Sequence, residues 1–135
     1  MKETIKLFNA YNAASQGCLK KSRWWLNLMV VVNFFIPLAL IFYVEAQVTV
    51  LCALIGLAIG LVIFKFDGYR RLLALMHLPW VFLVLYLWGK LPFHTTWDFL
   101  SVWMHGLIVV NSISLAIDAK DLVLYFCGNR EYPGN

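Results

Sequence analysis

Residues 46–64 read AQVTVLCALIGLAIGLVIF, nineteen consecutive positions without a charge, closed by Lys65 and Asp67. A helix needs about 20 such positions to cross ~30 Å of hydrocarbon. The run does not alternate in the manner of a barrel strand. In the bilayer its backbone must be satisfied within the segment, which makes it a helix. Three further blocks flank it: 25–44, interrupted by Asn27, Asn33 and Pro37; 72–88, holding His77; and 99–117, between Asp98 and Asp118. The predicted architecture is therefore an all-α integral membrane four-helix bundle over residues 24–127. Residues 1–23 form an N-terminal interfacial segment before it, and 128–135 form a tail after it.

Composition supports this reading. Apolar residues are 62% of the 135 positions, against roughly 45–50% in soluble domains. Charged residues are 13%, about half the usual ~25%. Too little polar surface is available to cover a soluble domain of this size. Disorder requires the opposite balance of charge and hydrophobicity. Three cysteines, an odd number, argue against a disulfide scaffold.

Charge placement sets the expected topology. With the N-terminus inside, the inner segments hold ten Lys and Arg residues and the outer segments only Lys90. The positive-inside rule then puts both termini in the cytoplasm. Trp24, Trp25, Tyr43, Tyr69, Trp88 and Trp97 fall near block ends, as an aromatic belt requires. Val44-Glu45-Ala46 resembles a signal cleavage site, but the preceding polar and apolar stretches are both long for a signal, so the first block is read as a span. The compact loops suit a bacterial inner membrane. Lys20, Lys21 and Arg23, with Arg70 and Arg71, are expected to anchor the chain against anionic lipid headgroups. Ile5, Phe8 and Tyr11 recur at helical spacing, which suits an amphipathic helix on the inner membrane face. The last block is expected to run on past Asp118, because 122–126 is apolar again and Gly128-Asn129 suits a helix end.

Polar groups within the spans are candidates for function. Asn33 is placed to bond across to a neighbouring helix, with Pro37 freeing a carbonyl nearby. Gly56 and Gly60 form a GxxxG pair, read as a face for helix packing or for an oligomer interface. His77, His105, Asn111, Ser114 and Asp118 make a candidate polar path along the third and fourth spans. From the block boundaries His77 lies about 9 Å above the inner edge and His105 about 10 Å below the outer edge. That separation disfavours a haem shared by the two, so no cofactor is expected. The cysteines and histidines show no metal-ligand spacing, so no metal is expected either. Asp118 is expected to pair with Arg70 or Arg71 at the inner interface. Asp98 suits the N-terminus of the fourth helix.

No GxSxG, Walker, GxGxxG or HExxH pattern occurs. The expected function is that of a small non-enzymatic membrane subunit or self-associating bundle. Its partners would be the bilayer and copies of itself or other membrane subunits, with no nucleic acid. A small channel or transporter is the second reading, and a membrane enzyme or haem protein the third.

Overall fold

The computed structural model describes residues 1–18 and 23–131, apart from the side chains of 15–18. Among them the regular structure is all helical, with no strand. Helix α1 is Lys2–Cys18. Helix α2, Arg23–Ala39, is followed by α3, Val44–Asp67, α4, Arg71–Phe93, and α5, Phe99–Phe126. Of these, α3, α4 and α5 are long and apolar enough to cross a membrane, while α2 is a shorter apolar helix. Where a first span over 25–44 was predicted, the structure has this shorter helix, Arg23–Ala39. The predicted blocks left only Glu45 between two antiparallel helices. Axes some 8–10 Å apart need a longer connection, and residues 40–43 supply it as a turn in which Tyr43 N–H donates to Leu40 O at 2.9 Å.

Local sequence explains the other ends. Asp98 caps α5 by accepting the Ser101 backbone N–H at 2.9 Å, filling one of the vacant donors of the first turn. Helix α3 stops at Gly68, whose φ of 75° most other residues avoid. Helix α5 carries through Asp118 without a break to Phe126.

Two prolines reshape the helices that hold them. In α2, residues Val31–Phe35 form a π turn just before Pro37. Proline has no N–H, and its ring collides with the carbonyl four residues back. The turn widens to relieve this, and the N–H of Ile36 reaches back to Val31 O. In α4, Arg71–His77 is a tighter 3-10 helix, which becomes α-helical at Leu78 with Pro79 in the first turn. Proline is tolerated there because the first-turn N–H groups lack helical partners anyway.

Helices α2 to α5 alternate in direction. The α3–α4 loop and the segment after α5 meet at one end, where Arg71 N–H donates to Arg130 O at 3.0 Å. Helix α1 lies at the same end, with the Tyr11 ring 5.7 Å from that of Phe64 and 6.0 Å from that of Tyr69. We call this the terminal end. At the far end His94 Nε2 lies 3.1 Å from Glu45 Oε1, which ties the α4–α5 connection to the start of α3. The core between the ends is closely filled. Leu83, Leu87, Met104 and Leu107 are fully buried, and Trp80, Trp103, Leu100 and Ile108 surround them.

Candidate functional site at the terminal end

The internal polar residues gather on one stripe of α5. Asn111, Ser114, Asp118 and Asp121 follow at helical intervals and face α2 and α4. Asn111, fully buried, exchanges two hydrogen bonds with Asn33, at 2.9 and 2.8 Å. Asn33 also donates to Met29 O at 3.0 Å. Ser114 Oγ donates to Met29 Sδ at 3.5 Å. His77 Nδ1 lies 2.7 Å from Asp118 Oδ2, and its ring stacks on Trp80 at 4.1 Å. Because a carboxylate only accepts, Nδ1 carries the hydrogen, and Nε2 is an acceptor in the neutral ring.

The expected Asp118–arginine pair is not formed. Arg71 pairs with Asp121 instead, and its Nε donates to Glu131 O at 3.0 Å. Arg70 pairs with Glu131 at 2.7 Å and with Asp67 at 3.3 Å. The reason lies in the register of α5 against α4. The helix runs eight residues beyond Asp118, about 12 Å, so Asp118 sits above the level of Arg71 and meets His77. Asp121, three positions further on and on the same face, occupies the place assigned to Asp118. The predicted headgroup role is likewise corrected for Arg71, which is 6% exposed and turned into the protein. Arg23 is exposed at the start of α2. Lys20 and Lys21 lie outside the described residues.

His105 does not join the stripe. Its Nδ1 donates to Ser101 O at 2.7 Å, and its ring stacks on Trp97 at 4.9 Å. Gly56 and Gly60 also have a specific use within the chain. A Cβ on Gly56 would stand 2.6 Å from the Met76 carbonyl oxygen, and one on Gly60 3.2 Å from the Met76 side chain. Their smooth face is therefore filled by α4, which removes it as a free surface for an oligomer.

The stripe opens into a cavity of about 210 Å³ at the terminal end. Trp25 and Met29 of α2, Met76 and His77 of α4, and Ser114, Asp118 and Asp121 of α5 line it, with Tyr11 and Tyr69 alongside. Away from the terminal end the stripe is closed. Beyond the Asn33–Asn111 pair come Leu107, Met104, Leu83 and Leu87, all fully buried.

Several of these residues were not singled out from sequence. Asp121 and Glu131 lie beyond the last apolar block, 99–117. Trp103, inside that block, is another; its indole N–H donates to Val32 O at 3.0 Å. Once α5 is extended to Phe126, the spacing of Asp118 and Asp121 is the signal that marks the second acid.

Among the described residues no three His, Cys, Asp or Glu side chains come together as a metal site. No known protein family, curated protein or solved structure matches the chain.

Proposed function

We propose that this chain is a four-helix integral membrane protein of a bacterial cytoplasmic membrane, with both termini in the cytoplasm. In this reading α2 completes the bundle, and the protein acts as a non-enzymatic subunit or self-associating unit. The carrying observation is the closure of the polar stripe. The Asn33–Asn111 pair ends it against fully buried apolar side chains, so the stripe does not join the two ends of the bundle. The wide apolar surface of α3, with Leu51, Leu54, Ile55 and Val62 exposed, is left for lipid or for neighbouring subunits. The glycine face is already filled by Met76, so self-association would use such outer faces. The test is native mass spectrometry of the protein released from nanodiscs, together with identification of whatever co-purifies. A defined oligomer or a stoichiometric partner supports the reading. A partner-free monomer at every concentration overturns it. Topology is checked separately, by labelling single cysteines at Thr95 and Lys120 with a membrane-impermeant reagent in intact cells; only the Thr95 position should react.

The cavity beside the His77–Asp118 pair favours one second reading, a small transporter that opens its closed end transiently. Solute flux in liposomes that is lost in His77→Ala would select it over the subunit reading.

A further inference from the structure

The cavity at the terminal end has a definite chemical character. Most of its hydrogen-bond donors are committed to partners inside the protein. Tyr11 Oη donates to Met76 Sδ at 3.4 Å, and Ser114 Oγ donates to Met29 Sδ at 3.5 Å. The Nδ1–H of His77 is directed to Asp118, and Arg71 is held by Asp121 and the Glu131 carbonyl. What remains is electron-rich. Asp118 Oδ1 and Asp121 Oδ2 take no hydrogen bond among the described residues, and neither atom is sealed from solvent. The ring of Trp25 and those of Tyr11 and Tyr69 line the same space. Two carboxylates, Asp118 and Asp121, thus stand beside the one guanidinium of Arg71.

Carboxylates beside aromatic faces attract a cation with an apolar skin, since the ring quadrupole presents its negative face to it. An anion would meet two carboxylates here, with the Arg71 guanidinium already engaged. The volume sets the size. An engineered cavity of about 150 Å³ holds benzene, so 210 Å³ admits a molecule somewhat larger.

We propose that this cavity is a binding site for a small alkylated ammonium, of about the size of choline. Its charge lies toward Asp118 and Asp121, and its methyl groups lie against Trp25, Tyr11 and Tyr69. The proposal stands whether the chain is a subunit or a transporter. The same ammonium group is presented by a free cation and by a choline lipid headgroup.

The experiment is a titration of the full chain in maltoside micelles with choline, followed by tryptophan fluorescence. The carbon isostere of choline, in which the quaternary nitrogen is replaced by carbon, is titrated in parallel. Saturable binding of choline is expected, with the isostere at least tenfold weaker. Asp118→Asn is expected to weaken choline at least tenfold. Trp25→Leu leaves the His77–Asp118 pair intact and is expected to weaken choline about three- to tenfold; it provides the measurement if Asp118→Asn does not fold. Equal binding of choline and its isostere overturns the proposal. So does the absence of saturation, or unchanged affinity in Trp25→Leu. Adding phosphatidylcholine or phosphatidylglycerol to the micelles then separates the sources. Displacement by the first alone identifies a headgroup, and displacement by neither identifies a free cation.

Discussion

The indole nitrogen of Trp103 lies 3.0 Å from the carbonyl oxygen of Val32, the acceptor that the π turn of α2 leaves open. In an α-helix the Ile36 N–H would bond to Val32 O; here it reaches Val31 O. Trp103 thus completes a helix that Pro37 interrupts. Replacing Trp103 by Phe keeps most of the volume and removes the donor. The expected cost is about 1–3 kcal/mol, read as a lowered unfolding midpoint in detergent. In a Pro37→Ala background α2 can close its own ladder, so the same substitution should cost clearly less. Equal costs in both backgrounds would show that the indole bond does not compensate for the proline.

The Asn33–Asn111 pair makes a second prediction. Each side chain supplies the other with a donor and an acceptor, at 2.9 and 2.8 Å. Asn33→Leu or Asn111→Leu alone strands a buried amide and should destabilise by about 1–3 kcal/mol. The double variant strands neither partner and should be more stable than either single one. If the two effects simply add, the residues do not act as a pair.

Gly56 and Gly60 should respond differently to the same change. The Cβ of Gly56→Ala would meet the Met76 carbonyl oxygen at 2.6 Å, a backbone atom that moves only if α4 moves. The expected loss is about 1–3 kcal/mol, as for an overpacked core. Gly60→Ala meets the flexible Met76 side chain at 3.2 Å and gains about 1 kcal/mol of helix propensity. It should be close to neutral. Thermal unfolding of both variants decides the order, and Gly60→Ala as the more damaging change would contradict the packing described.

These contrasts show what was legible in the sequence. The uninterrupted apolar runs identify the long helices because length and hydrophobicity are summed over many residues. Asp98 reads correctly as a helix-start residue because capping is local. The partner of Asp118 was misread because it depends on where α5 ends relative to α4. A shift of three residues, Asp118 to Asp121, exchanges a buried arginine for a histidine. The Trp103–Val32 bond was hidden for another reason: the open carbonyl exists only after Pro37 has forced the π turn. The cavity likewise requires α1, α2, α4 and α5 to be placed together, and no single periodicity reports it.

Tyr11 supplies a prediction about pH. It lies on α1, outside the spanning helices. Burial, reinforced by Tyr69, pushes its pKa from the ordinary 10.0 up to about 12. The phenol therefore keeps its proton more tightly when α1 is docked than when it is free. Its contribution to docking is complete below pH 10 and is lost as pH rises through about 12. A spin label at the exposed Asn12 should become mobile across that interval. In Tyr11→Phe the ring still packs on Phe64, but nothing at that position titrates. The Phe variant keeps every other group of α1 and so controls for them. The step should be absent or displaced upward in Tyr11→Phe. An identical mobilisation curve in the two proteins would mean that ionisation of Tyr11 does not govern the docking of α1.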